Sequence, residues 1–120
     1  MRPGEDRDRG QAALEFAGVI TLLILVGVAA IQLGLVAYTA QQAGTAARAA
    51  ARAEAQRDGA GTGPAAGLAA ISGWLADGAR VEAGCAPGSE VRATATVDVP
   101  ALLPVLDFGP ASRTVTMRCD

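Results

Sequence analysis

The 120-residue chain contains no histidine and no lysine, and all ten of its cations are arginine. An enzyme needs a nucleophile with a base, a metal, or paired acids in a pocket. None of these is legible here, and no phosphate-cradling or dinucleotide-binding motif replaces them. Asp77, Asp98 and Asp107 are scattered and read most simply as surface or loop-capping residues. The chain is therefore expected to be non-enzymatic, with no catalytic residue, cofactor, metal or small-molecule substrate. The net charge is −2, and no basic tail or patch is present. Nucleic-acid binding needs clustered cations that displace counterions, so that class is excluded as well. The aromatics are few: Phe16, Tyr38, Trp74 and Phe108. Much of the apolar content is alanine, which buries little area per residue. There are only two cysteines, Cys85 and Cys119. With no histidine to help, they cannot make a four-ligand zinc site.

What the chain does have is one long apolar run. From Phe16 to Ala40, twenty-five residues, no side chain is charged, and Gln32 is the most polar. As a helix the run is about 37 Å long, enough to cross a hydrocarbon core of about 30 Å with some tilt. Directly before it stands a carboxylate, Glu15, and five residues earlier a glycine, Gly10. Placing a carboxylate at a membrane edge costs a few kcal/mol unless it pairs or reaches water. Either Glu15 is a tolerated residue at headgroup level, or it waits for a positive partner. Residues 1–9 hold three arginines and three acids, together with Pro3 and Gly4, and are expected to be hydrophilic and unstructured. A cleavable secretory signal fits poorly, because its apolar core is shorter and ends at a small-residue site.

Within the run Gly27 and Gly34 are seven apart, nearly on one helical face. Small residues there let another helix approach closely, although glycine is also common in membrane helices. Beyond Tyr38 the sequence turns alanine-rich and polar, and the helix is expected to continue to about Arg57, with Asp58-Gly59 closing it. Arg48 and Arg52 read as a solvated stripe. Residues 59–64 form a flexible break. Leu68, Ile71, Trp74 and Leu75 recur at helical spacing, predicting one amphipathic helix from about Pro64 to Asp77 with Trp74 as its packing anchor.

The remainder reads as strands. Val91, Ala93, Ala95, Val97 and Val99 alternate with Glu90, Arg92, Thr94, Thr96 and Asp98, the pattern of a half-buried strand. Arg80 to Cys85 and Arg113 to Cys119 alternate likewise, and Ala86-Pro87-Gly88-Ser89 is a turn. Residues 100–110 contain three prolines and are expected to be a loop with Leu102, Leu103, Leu106 and Phe108 folded onto the core. Both cysteines fall in the apolar phase of their strands. In an exported domain they are expected to form a disulfide; the alternative is two buried, reduced thiols.

From Asp8 to about Ala55 the chain resembles the TadE family, pilin-like proteins of the tight-adherence (Flp) branch of type IV pilus systems. The likeness is densest over Arg9-Gly10-Gln11-Ala12-Ala13-Leu14-Glu15-Phe16-Ala17. Gln32-Leu33-Gly34, Ala37-Tyr38 and Ala46-Ala47-Arg48-Ala49-Ala50 add to it. The wider pilin pattern often has a proline where this chain has Ile20-Thr21. The resemblance implies cleavage after Gly10 by a prepilin peptidase, leaving Gln11 as the first mature residue. It also implies that Glu15, followed by the aromatic Phe16, serves assembly with other pilin-like subunits and the pilus machinery. Arginines flank the run on both sides, Arg2, Arg7 and Arg9 before it and Arg48, Arg52 and Arg57 after it, so their count does not orient it. The cysteine pair and the resemblance place the N-terminus in the cytoplasm and the C-terminal part outside the cell membrane.

The expected fold is α+β and pilin-like. Residues 1–10 form a cytoplasmic leader, and 11–57 a long helix spanning the membrane at about 16–40. A linker at 58–64 leads to a small extracytoplasmic domain at 65–120, with a short helix and a three-stranded antiparallel sheet. Two other readings compete with the pilin-like subunit. One is a generic single-pass membrane protein whose outer domain binds a partner; the other is a small secreted domain with an unusual signal.

Overall fold

Alanine, leucine and valine fill the first half of the chain, and no proline follows Pro3 until Pro64. A computed structural model, which describes residues 3–56, 59–86, 88 and 90–119, accordingly opens with a single helix, α1, Pro3–Ala55. After it come α2 (Gly63–Ala69), α3 (Gly73–Ala76), β1 (Ala79–Ala86), β2 (Glu90–Asp98) and β3 (Pro110–Arg118). The fold is α+β, as expected. The chain divides into two units, Met1–Leu33 and Gly34–Asp120.

In the first unit α1 begins earlier than expected, and the irregular head is corrected to helix from Pro3 onward. Pro3 takes the first helical position, where its missing N–H has no helical acceptor to lose. Gly4 and Gly10 each weaken the helix by about 1 kcal/mol, which propagation from the strong helix behind them offsets. Large apolar side chains are exposed around the helix, among them Leu14, Phe16, Leu22, Leu23, Ile24, Leu25 and Val26. Only 6% of the most apolar window is buried within the chain, so this is not the core helix of a water-soluble fold. Its one hydroxyl at mid-run, Thr21, donates to the Ala17 carbonyl at 2.8 Å, which spares it a partner outside the helix. Length and hydropathy are those of a single membrane-crossing helix.

In the second unit the rest of α1 changes character. Ala43, Ala46, Ala47, Ala50 and Ala51 are fully buried and repeat at three and four residues, so they form one face. That face joins Val81, Val91, Ala93, Ala95 and Val97 of the sheet, with Ile71 and Leu75, in a single core. The strands pair antiparallel in the order β1-β2-β3, with Val81 opposite Ala95 and Ala95 opposite Arg113. The alternation along β2 comes out as expected, its apolar phase buried and Glu90, Arg92 and Asp98 exposed. On the other face hydroxyls pair across strands, Thr94 with Thr114 at 3.0 Å and Thr96 with Ser112 at 3.4 Å. β3 starts three residues before Arg113 because Pro110 can open an edge strand without a ladder donor. Gly88 has φ 116°, a conformation that favours glycine, between the paired ends Ala86 and Glu90. Pro87 and Ser89 of the expected turn lie outside the described residues, as do Arg57 and Asp58 at the expected helix end.

The single amphipathic helix expected over 64–77 is corrected to two short ones. Ser72 is extended (ψ 134°) between them, and its N–H donates to Gln42 Oε1 at 3.2 Å. Ile71 and Leu75 are the buried anchors, whereas Trp74 is 58% exposed. The expected flexible break is held as well: Glu54, itself buried, accepts N–H bonds from Gly61 at 2.8 Å and Gly63 at 2.9 Å. This seats α2 so closely that a Cβ on Gly67 would lie 2.8 Å from Val81 and 3.0 Å from the Ala46 carbonyl. A Cβ on Gly59 would collide with the Ala53 carbonyl, which is why the chain turns off α1 at a glycine. The loop after β2 departs from expectation too. Leu102, Leu106 and Phe108 are exposed, not folded onto the core. The alanine face of α1 and the two short helices already fill that side of the sheet, and the prolines keep the loop off the ladder.

Two substitutions test this packing. Glu54→Gln keeps the size but turns an amide NH2 toward one of the two backbone donors, Gly61 or Gly63. It should cost about 1–3 kcal/mol in denaturant unfolding of the detergent-solubilised chain. Gly67→Leu should cost a similar amount, about 1–3 kcal/mol, by forcing α2 away from α1 and β1.

Candidate functional site

The residues singled out at the start of the apolar run all lie on α1. Gly10, Gln11, Glu15 and Phe16 are exposed, and open space surrounds the position a Cβ would take on Gly10. Gln11 and Glu15 are four apart, hence on one face and about 6 Å apart along the axis. The Gly10–Gln11 peptide is helical, so a protease that takes an extended strand must first unwind it. Gly10 is where that unwinding costs least. Glu15 thus presents a carboxylate on a helix whose next residues, Phe16 (66% exposed) and Val19 (56%), are uncovered and apolar. Chemically, such a group can pair with one cation as its helix is laid against another.

Gly27 and Gly34 are exposed, and nothing in the chain occupies the space a Cβ would take on either. The chain does not use these glycines for its own packing, so both remain available to a second helix.

Cys85 and Cys119 are joined, with S–S 2.08 Å and Cα–Cα 6.3 Å. The bridge links β1 to the end of β3 across β2, whose first residue, Glu90, pairs with both Ala86 and Arg118. Strands separated by a third lie about 9–10 Å apart in the plane of a sheet. The 6.3 Å separation therefore shows β1 and β3 converging where β2 begins. Cys85 Sγ lies 4.0 Å from the Glu54 carbonyl oxygen, so the bridge also sits against the end of α1.

Sequence reasoning missed two features. The Glu54 clamp is formed with loop amides that carry no side-chain signal. A groove of about 720 Å³ runs between α1 and β3, lined by Gly44, Thr45, Arg48, Arg113, Thr114 and Val115 among others. Arg48 and Arg113 both reach Gly44, at 3.7 Å and 3.9 Å from its Cβ position. Arg48 and Arg52 are exposed, as expected of a solvated stripe, and Arg48 also lines this groove. Among the described residues no group of three potential metal-ligating side chains is present.

Residues 10–52 match the family model described as TadE-like protein, in agreement with the resemblance drawn from Gly10, Glu15 and Phe16. The match begins at Gly10 and ends one turn before the end of α1, leaving the short helices and the sheet outside it. No curated protein and no solved structure matches the chain.

The disulfide closes a loop with a sequence separation of 34. In the chain-entropy view this should be worth roughly 3–4 kcal/mol. The Cys85→Ser/Cys119→Ser double variant should lose about that much, read from denaturant unfolding under non-reducing conditions. An unchanged unfolding midpoint would show that α1 packing alone holds the sheet.

Proposed function

We propose that this TadE-like chain is a minor pilin or pseudopilin, a non-enzymatic subunit in assembly of a tight-adherence pilus or a related secretion machine. A prepilin peptidase would process it after Gly10. The observation that carries the reading is the family match beginning at Gly10, shortly before the apolar run of a helix long enough to cross a membrane. In this reading the N-terminus is cytoplasmic and the domain carrying the sheet is extracytoplasmic, a compartment in which the Cys85–Cys119 bridge persists.

Cleavage after Gly10 would free the α-amine of Gln11, a cation below a pKa of about 8. Glu15 of a neighbouring helix, staggered by part of a turn, would pair with that amine at the membrane edge. There an unpaired carboxylate is costly and the attraction is weakly screened, so one docking register is favoured. Phe16, beside Glu15, would bury apolar area in the same contact. Gly27 and Gly34 would let the two helices approach.

Two substitutions separate the roles. Gly10→Ala should leave the longer precursor in the membrane, seen as slower migration on an immunoblot. Glu15→Gln should be processed like the parent but lose most co-purification with other pilin-like subunits. Equal co-purification by the Glu15→Gln protein would reduce Glu15 to a boundary residue.

A further inference from the structure

Besides Tyr38, five large apolar side chains are exposed in the unit Gly34–Asp120: Trp74, Leu102, Val105 (88% exposed), Leu106 and Phe108. They share one end of it. The loop carrying four of them leaves the sheet after Asp98 and re-enters at Pro110, its register partner. Asp98 N–H donates to the Gly78 carbonyl at 3.2 Å, so this end of the sheet adjoins α3. Trp74, on α3, stacks on Tyr38 with ring centroids 6.0 Å apart and planes 2° from parallel. The Tyr38 hydroxyl lies 2.8 Å from that of Ser72. Tyr38 belongs to the last turn of the apolar run. The opposite end of the sheet, with Cys85, is tied to Glu54 near the end of α1. The sheet therefore lies lengthwise along α1, and its apolar end is the one from which α1 enters the apolar run.

An exposed cluster of this kind marks a surface that something covers. Covalent continuity says what covers this one. Tyr38, on which Trp74 stacks, lies two residues before the uncharged run ends at Ala40 and the polar, alanine-rich stretch begins. Tyr and Trp, stacked there, are the residues enriched at membrane interfaces. The loop carries no cation, and the carboxylate of Asp107 is turned back to accept the Gly109 N–H at 2.9 Å. The loop itself thus offers no attraction to anionic headgroups, and the one cation beside it, Arg80, shares its pocket with the Asp98 carboxylate, so apolar burial is the main driving force. We propose that residues 99–109 and Trp74 form an apolar foot that inserts shallowly into the membrane surface from which α1 emerges, with neutral, zwitterionic lipid as its partner. The foot would hold the domain against the bilayer before any other subunit is met. This inference rests on α1 crossing the membrane.

Trp74 is the only tryptophan, so the full chain reconstituted in phosphatidylcholine vesicles reports on itself. The readout is indole quenching by lipids brominated at shallow or deep acyl positions, compared with quenching by aqueous acrylamide. In the parent, and in Trp74→Phe/Phe108→Trp, shallow bromines should remove most of the emission while acrylamide has little effect. Trp74→Phe/Leu25→Trp should be quenched best by deep bromines, which tests membrane crossing separately. Suppose the indole of the Phe108→Trp variant is quenched by acrylamide and spared by bromines while that of Leu25→Trp is quenched. The foot then stands in water and the inference is overturned. Protection from both quenchers that rises with protein-to-lipid ratio would overturn it in favour of a second copy covering the loop. If the Leu25→Trp indole escapes the bromines, membrane crossing itself fails, and the foot fails with it.

Discussion

The fold beyond residue 34 depends on how closely α1 can lie on the sheet. Ala43, Ala46, Ala47, Ala50 and Ala51 present a face with one methyl per residue to Val81, Val91, Ala93, Ala95 and Val97. Small side chains bring the backbones near each other, and the glycines of α2 exploit the same closeness, with Gly63 and Gly67 fitted against Ala50 and Ala46. The approach has a consequence. A core this thin in large side chains buries little apolar area, so the domain relies on directional ties. The Glu54 carboxylate fixes the loop into α2, and Cys85–Cys119 draws β1 and β3 together beside it. Among the described residues no buried side-chain nitrogen or oxygen lacks a hydrogen-bond partner. In a core with so little hydrophobic reserve, an orphaned polar group would be hard to offset.

The same helix meets two solvents. Through Phe16–Ile31 its surface is apolar and largely exposed; Gln32 and Thr39 are already buried, and from Ala43 on one face packs and the other is wet. Glu15 and Gly10, at the start of the apolar surface, take no part in the core of the second unit. The family match stops within α1 and leaves the sheet and short helices outside it.

Elements with periodicity or length were legible in the sequence. The apolar run, the alternation of β2 and the in-phase cysteines each rest on a repeat that survives without tertiary context. What was not legible depended on neighbours far along the chain. Trp74 reads as a core anchor by spacing, yet its ring stacks on Tyr38 at the domain's surface while Ile71 and Leu75 take the core. The leucines of residues 100–110 read as core by composition. The space they would fill was already taken by alanines whose burial is invisible until α1 is laid on the sheet. Gly59–Gly63 reads as flexible because its order comes from a carboxylate five residues upstream, not from its own side chains. Gly10, Glu15 and Phe16 drew the family resemblance because their spacing ahead of an apolar run is itself the signal.

The account turns on a peptide bond that must be cut before Glu15 has a cationic partner to meet. N-terminal sequencing of the membrane-extracted protein from cells that assemble the pilus is therefore the most direct measurement. The account predicts a first residue of Gln11, with Glu15 fifth. A sequence that begins at Met1 or Arg2 would contradict it and leave a single-pass anchor with a partner-binding domain, and a start near Ala50 would contradict membrane retention altogether.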